Sequence, residues 1–600
     1  MEEVVQTLVE EGTLSGDRGQ YHLAVAPTEL QIPPTVQGIL AARIDRLASE
    51  EKELLQQLSV IGRQFPVSLV KQVVTEPEDV LYRVLSALQA KEFLYEQPAF
   101  PESEYFFKHA LTQDVAYGTV LQEQRRTLHE RTGQALEELY AKKLADHYSA
   151  LAHRYSQCRN TQKAVEYLYL AGQQAVQRSA HAEAVTRLTT ALELLQTLPD
   201  GRERAEQELR LQLVLGPALV VNKSYTALEI EHTYARALEL SRQMEDSSRL
   251  FPAMKGLYLF SFTKGTEFPR VCELGEQLVR LADEAHSPAL QIEAYYALGI
   301  GLLYRGELSA GRTYLEQAVD LYDPHQQASL GVRFLSGEDP GVSGSGSMSY
   351  ALWTLGYPEQ ARQAMQRMLM LAQELLYAFS IAYASAFAAG RHLHYQNYAL
   401  AQEYAEAAIT SSTEHGFVWW HALADIFCGG ALAAQGQPTE GIAQIQQGLE
   451  VYQSIGAELW WPYYLAVLAE AYKKVAQPDK GLSTVADALA RVSATGERWY
   501  EAELYRLKRE LTLQKSKVES RRSKVGEEAE ECFHKALDIA QKQEAKSLEL
   551  RAATSLARLW QQQGKNAESH ELLAPVYNWF TEGFDTADLK DARALLDELS

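Results

Sequence analysis

Cysteine is scarce and dispersed: four residues in 600, at Cys158, Cys272, Cys428 and Cys532, with no CxxC pair. A disulfide framework or a zinc knuckle needs closely spaced cysteines, so reduced thiols are expected instead. Long apolar runs are missing too. No stretch approaches the roughly 18 apolar residues that a membrane-spanning helix requires. The opening MEEVVQTLVEEG carries acid where a secretory signal carries base. A soluble, cytoplasmic protein without a membrane partner is the expectation. Basic charge is in deficit: 57 Lys and Arg stand against 79 Asp and Glu, a net charge of −22. Nucleic-acid binding draws on cations that displace counterions from phosphates, so DNA or RNA is not expected as a direct partner. The phosphate-cradling string GxxxxGK[ST] is absent as well; the only Gly-Lys pair, Gly564-Lys565, is followed by Asn.

What is present is a repeat. Six hundred residues exceed one compact core. A trio of positions, small or apolar with spacings of four and three, places its members on one helical face. It occurs as Ala184/Leu188/Ala191, Ile230/Tyr234/Ala237, Val271/Gly275/Leu278, Gly311/Leu315/Ala318 and Ala361/Met365/Met368. It continues as Ala401/Ala405/Ala408, Gly441/Ile445/Gly448, Gly481/Val485/Ala488, Ala529/Phe533/Ala536 and Ser569/Leu573/Val576. The steps between final members are 46, 41, 40, 50, 40, 40, 40, 48 and 40 residues. Such a pattern marks the second helix of a tetratricopeptide-like unit. Leu298, Gly299, Leu302 and Gly306 fit the matching first helix, and Gly356, Gly436 and Gly564 the turn between helices. Two steps are long. One holds HQQASLGVRFLSGEDPGVSGSGSMS between Pro324 and Tyr350, whose Gly/Ser core has linker composition and is expected to loop out. It includes Ser343 and Ser345 but does not read GxSxG. The other holds QKSKVESRRSKVG after Leu513, a loop or a helix extension. The fold class is therefore all-α, a right-handed superhelical solenoid of about ten units over residues 131–600.

The first 130 residues differ. Residues 33–75 read as two helices, the first with Val36, Ile39, Leu40, Ile44 and Leu47 on one face, the second capped by Ser49. A third helix over about 78–90 leads to a hairpin built from Phe93-Leu94-Tyr95 and Tyr105-Phe106-Phe107. Three helices closed by a hairpin make a small winged-helix module, over residues 27–130.

The segment FFKHALTQDVAYGTVLQEQRRTLHERTGQALE resembles the region that follows the ATPase core in bacterial STAND, or AAA-type, signal-transduction ATPases. Phe107, His109, Leu111, Asp114 and Tyr117 match that family's Phe-x-His-x-Leu-x-x-(Asp/Glu)-x-x-Tyr. Residues 1–26 are similar to the end of the same ATPase's lid. The family often joins a class III adenylate or guanylate cyclase, or a protein kinase, to the ATPase, then a winged helix and tetratricopeptide arrays. The resemblance implies that this chain begins downstream of the ATP site. It also implies a binding role, with the ATPase module supplied in cis or in trans. Activity of the parent family is carried by no residue present, so no enzyme and no cofactor is expected. The alternatives are a part of an ATP-dependent cyclase or ATPase whose catalytic domains lie elsewhere, and a transcription regulator using the winged helix.

Candidate site residues follow from both readings. His109, Asp114 and Tyr117 are candidates for an interdomain contact; the bland reading of His109 is a polar anchor between the wing and the next helix. Phe379, Trp420, Trp460 and Trp499 each open a first helix, with Trp419, Trp461, Tyr463 and Tyr500 beside them. First helices line the concave groove of such solenoids, so these rings are either a ladder for a protein or small-molecule partner or packing between repeats. His392, His394, Cys532 and His534 lack metal-ligand spacing, and no metal site is expected.

Overall fold

The computed structural model describes residues 14–15, 22–23, 36–99, 102–244, 247–324, 339–518 and 527–600. The chain divides into two compact units, Met1–Arg204 and Ala205–Ser600. Most of residues 1–26, read above as lid remnant, lies outside the described residues, apart from the paired strands β1 (Leu14–Ser15) and β2 (His22–Leu23).

In the first unit, α1 (Val36–Asp45), α2 (Ser49–Ile61), α3 (Val67–Val73) and α4 (Glu78–Ala90) surround a three-stranded antiparallel sheet. Its strands β3 (Gln64–Pro66), β4 (Leu94–Gln97) and β5 (Glu104–Phe107) take the order β3-β5-β4. Sequence reading misses β3 and α3 because Pro66 ends one and opens the other in a stretch too short to show a period. Ile39, Leu40, Ile44 and Leu47 are buried, but Val36 is exposed at the helix start. Ser49 is the first helical residue rather than the cap. The capping position is Ala48, whose backbone N–H donates to the Glu51 carboxylate at 3.1 Å. The helices α5 (Ala110–Thr119), α6 (Gln122–Leu139), α7 (Tyr148–Gln157), α8 (Thr161–Gln177) and α9 (His181–Leu195) follow, with a short 3₁₀ segment, Ala141–His147, after α6.

The second unit is a solenoid of helix pairs. The pairs are α10 (Arg202–Lys223) with α11 (Leu228–Gln243), α12 (Ser247–Lys264) with α13 (Phe268–Glu284), and α14 (Pro288–Arg305) with α15 (Leu308–Leu321). Next come α16 (Pro340–Thr354) with α17 (Pro358–Leu375), α18 (Ala378–His394) with α19 (Tyr398–His415), and α20 (Val418–Ala434) with α21 (Pro438–Ser454). The series closes with α22 (Trp461–Lys474) and α23 (Pro478–Thr495), α24 (Glu501–Val518) and α25 (Glu527–Lys542), α26 (Lys546–Gln562) and α27 (Asn566–Trp579), and a final α28 (Ala587–Leu599).

All ten trios fall on second helices, from α9 to α27. Their small members let backbones meet: a Cβ on Gly441 would run into the Gly429 carbonyl, and one on Gly448 into the Ala422 carbonyl. Gly306, Gly356, Gly436 and Gly564 take the turn with φ between 82° and 94°, where an L side chain is strained.

The Gly/Ser run is a correction. Residues 340–354 form α16, a first helix buried along its whole length, rather than a looped-out linker. Asp339 caps it by accepting from Gly341 N at 2.9 Å, and Pro340 stands in its first turn. The side chains are small because neighbours crowd it on several sides; a Cβ at Gly346 would press on Met368 and Tyr383. Residues 325–338 lie outside the described set, and the second long step is helical through Val518.

First helices are buried on most faces, second helices along one stripe. The superhelix is tight enough for its turns to touch. Arg498 N donates to Tyr304 O at 2.8 Å, Ser547 Oγ to Trp353 O at 2.6 Å, and Glu359 N to the Glu582 carboxylate at 2.9 Å. The Ser547 and Glu359 contacts bridge 194 and 223 residues, about five 40-residue units per turn. That stacking, within the second unit, decides what happens to the groove.

Candidate functional site

An open solenoid would present its first helices to solvent; here the next turn covers them. Phe379, Trp419, Trp420, Trp460, Trp461, Trp499 and Tyr500 are each at most 8% exposed. Trp420 sits among Tyr225, Phe379 and Tyr383, with ring centroids 5.1 to 5.9 Å away. Trp460 meets Phe387 and Tyr304, and Trp499 meets Tyr304, Tyr350, Tyr463 and Tyr500. Trp461 faces the other way, stacking on Tyr452 of α21 beneath the Arg491 guanidinium. The structure thus brings six of the seven rings into one interior cluster and sends Trp461 between the layers. A void of about 30 Å³, lined by Trp419, Trp420 and Trp460 among others, remains there. That volume admits a water, not a peptide.

Glu497 is set within this cluster. Its carboxylate accepts from the Trp460 backbone N–H and from Trp499 Nε1, each at 3.0 Å. Burial pushes its carboxyl up to about 8 in spite of both donated bonds. Lys255, also buried, pairs with Glu293 at 2.6 Å, both almost fully enclosed.

The same inner helices also carry a different site. There a cavity of about 300 Å³ opens between α18, α20, α22, α24, α26 and α28. Its wall is a chain of ion pairs. Arg506 binds Glu503 at 2.8 Å and Glu470 at 3.0 Å, and also pairs with Glu510. Lys473 joins Glu470 and Glu510 at 2.7 and 2.6 Å. Arg551 bonds Asp588 at 2.9 Å and donates to the His394 carbonyl at 2.8 Å, with Glu503 at 3.5 Å. Exposure grades outward, from 3% at the Glu503 side chain to 45% at Asp591. Burial opposes ionisation of Glu503, but Arg506 and Arg551 outweigh it and hold the carboxyl below its usual range. The same balance, with Arg506 and Lys473, holds Glu510 low.

Two neutral side chains complete the lining. His394 and Tyr463 stack with centroids 4.9 Å apart, and both are nearly fully buried. Arg391 donates to His394 Nδ1 at 2.9 Å, so the ring proton of the neutral imidazole sits on Nε2. Burial and then Arg391 hold this imidazole well below its ordinary pKa. Neither His394 Nε2 nor the Tyr463 hydroxyl meets a partner among the described residues.

Of the residues singled out in the sequence, Tyr463, Tyr500 and His394, the last weighed there only as a metal ligand, line this cavity. The charges went unread because single acids and bases on helices look like solvated faces. A signal existed: Glu503, Arg506 and Glu510, or Arg551, Ser555 and Arg558, recur at helical spacing on first helices.

The family-segment residues lie in the first unit and are not brought together into a pocket. Tyr117 bonds His129 Nε2 through its hydroxyl at 3.0 Å, and Arg125 lies over its ring. Those contacts tie α5 to α6. Asp114 is exposed, 3.8 Å from Arg63. His109 is half-buried at the N-terminal boundary of α5.

No protein-family model matches the chain. An uncharacterised protein of Rhizobium meliloti (strain 1021) is 23% identical over 526 residues, 87% of this chain and 50% of the relative. The chain thus spans about half the length of the curated relative it matches. Among solved structures, a STAND protein with a tetratricopeptide repeat sensor from Pyrococcus horikoshii is 14% identical, with a TM-score of 0.29 over 95% of this chain and 68% of the other. A Rap protein complexed with competence and sporulation factor is 12% identical, with a TM-score of 0.41 over 67% of this chain and all of the other. Among the described residues, no helix is long and apolar enough to cross a membrane.

Proposed function

We propose that this chain is a non-catalytic sensor or scaffold region of a bacterial signal-transduction ATPase, and that it receives a protein or small-molecule effector inside its solenoid. The observation that carries the reading is the charged cavity. Buried ion pairs contribute little net stability, and well-packed apolar residues of similar volume serve a fold at least as well. Three inner helices, α22, α24 and α26, together with α28 nevertheless hold fixed charges around a space of ligand size, while the neighbouring interior is packed shut with aromatic rings. The same side chains lack the arrangement of a catalytic centre: the carboxylates are neutralised by salt bridges and no nucleophile is activated beside a base.

The first unit fits a winged-helix role between domains. The sheet order β3-β5-β4 and the helices before it support that reading. The exposed side of α4 carries Glu78 and Asp79, and its Arg83 is engaged by Glu50, which disfavours a phosphate backbone as partner.

The test is native mass spectrometry of the chain after incubation with the low-molecular-mass fraction of a bacterial extract. Ala434, half-buried at the end of α20 and lining the cavity, is replaced by Trp to fill it. A discrete adduct on the wild type that the Ala434→Trp chain loses supports the reading. An adduct retained by both, or none on either, contradicts a small-molecule cavity.

A further inference from the structure

We infer that Glu497 is a pH-sensitive clasp on the superhelix: protonated, it holds successive turns together, and ionised, it lets them part. The inference stands apart from the charged cavity and concerns the aromatic end of the interior. Two short segments carry the contact between turns there. Residues 457–460 lead into α22, and Gly265, just past the end of α12, lies so close that a Cβ on it would run into Leu459 N. Residues 496–500 lead into α24, and Arg498 N and Trp499 N both donate to Tyr304 O of α14, at 2.8 and 3.3 Å. Glu497 joins the two segments, one carboxylate oxygen accepting from Trp460 N and the other from Trp499 Nε1. Trp460 is held at φ 61°, a left-handed conformation that a bulky residue rarely adopts, so its segment needs outside support. That support is the bond to Glu497 and the Tyr452 hydroxyl, which donates to Leu459 O at 2.8 Å.

Glu497 is 1% exposed, and no Lys, Arg or His pairs with it among the described residues. The groups around it are neutral. Tyr304 comes from α14, Tyr452 from α21 and Tyr464 from α22, and burial raises all three phenols well above their ordinary range. On α23 the Thr495 hydroxyl accepts from Glu497 N at 3.2 Å, and α13 sets Phe268 and Pro269 beside Gly496. The neighbouring cation on its own segment, Arg498, is half exposed and pairs with Glu501 of α24 at 3.2 Å. A buried charge without a counter-ion is costly, so the enclosure favours the protonated form, with the carboxyl held at about 8. Parting of the segments admits water, where the carboxyl ionises at its ordinary value of 4.5. Between those two values each pH unit favours the open form by a further factor of about ten. The clasp is therefore tight in mild acid and loosens up to about pH 8, uncovering the Trp460 and Trp499 rings and freeing residues 498–499 from α14.

The experiment is hydrogen–deuterium exchange of the full chain at about pH 6 and about pH 8, with rates corrected for the intrinsic pH dependence of amide exchange. Protection at 459–461 and 498–500 should fall about tenfold or more between the two, while 401–408 on α19 holds. Glu497→Gln, neutral at both pH values, should remove the difference. Trp499→Phe is the second variant: it takes away one of the two donated bonds and should move the midpoint of the loosening to higher pH. Equal protection of the wild type at the two pH values overturns the clasp. So does a Glu497→Gln chain that keeps the wild-type difference, or a Trp499→Phe midpoint at or below that of the wild type. A loss spread evenly over 205–600 overturns it too, since that is unfolding and not a parting of turns.

Discussion

Trp420 and Ala434 stand near opposite ends of α20, as Trp461 and Lys473 do on α22, while Trp499 just precedes α24 and Glu510 stands at its middle. On α20 and α22 one end is packed with rings, and the other faces the charged cavity. The helices are the same, so the repeat does not make the difference. It is made by what the next superhelical turn brings. At the aromatic end the α10–α11 and α14 regions arrive with Tyr225 and Tyr304, which close on the tryptophans. At the other end α26 and α28 arrive with Arg551 and Asp588, which pair with the wall and stop short of filling the space. Apolar burial stabilises; a balanced ion network around a cavity does so poorly, and the proposed ligand site rests on that contrast.

The sharpest way to break this comparison is to remove a ring. Trp499→Ala should cost about 5 kcal/mol, the upper end for a buried aromatic, because the indole N–H bonded to Glu497 goes with it. Urea unfolding of the full chain measures this, and a loss under about 2 kcal/mol would mean the cluster is groove rather than core. Breaking the charged end comes next. Glu503→Ala leaves Arg506 and Arg551 short of a buried counter-ion and should cost about 3 kcal/mol. Insensitivity there would mean that water already solvates the network.

A pH series separates the two ends further. The Glu497 carboxyl is held at about 8 when folded against 4.5 otherwise, so the folded chain keeps a proton that the unfolded chain releases. Its stabilising contribution is complete below pH 4.5 and declines as pH rises through about 8. Glu497→Gln should flatten the fall in melting temperature across that window, and an unchanged slope would remove Glu497 as its source. The smallest effect belongs to the first unit. Asp114→Ala breaks only an exposed pair and should change stability by about 0.5 kcal/mol or less, whereas Tyr117→Phe, losing its bond to His129, should cost about 1 kcal/mol.

The repeat was legible because it is local. Trio spacing, turn glycines and the openings of first helices all follow from residues within one unit, and each falls where the periodicity puts it. The superhelical pitch was not legible, since contacts such as Arg498 to Tyr304 and Ser547 to Trp353 join positions that no local pattern relates. Without the pitch, burial of Trp420 and Trp460 could not be told from exposure in a groove. The Gly/Ser run misled for the same reason. Composition alone favours a linker, and only crowding by Tyr322, Met368 and Tyr383 explains why a helix needs glycine and serine there. The cavity charges were readable as a spacing on first helices, but their convergence depended on the pitch as well.

Hydrogen–deuterium exchange, with and without the low-molecular-mass extract fraction, tests the central division of the interior most directly. Ligand-dependent protection confined to segments 393–398, 463–474, 500–510 and 550–558, with 417–423 unchanged, is the predicted result. Protection centred on 417–423 and the other aromatic openings would contradict it and return the tryptophans to the role of binding surface.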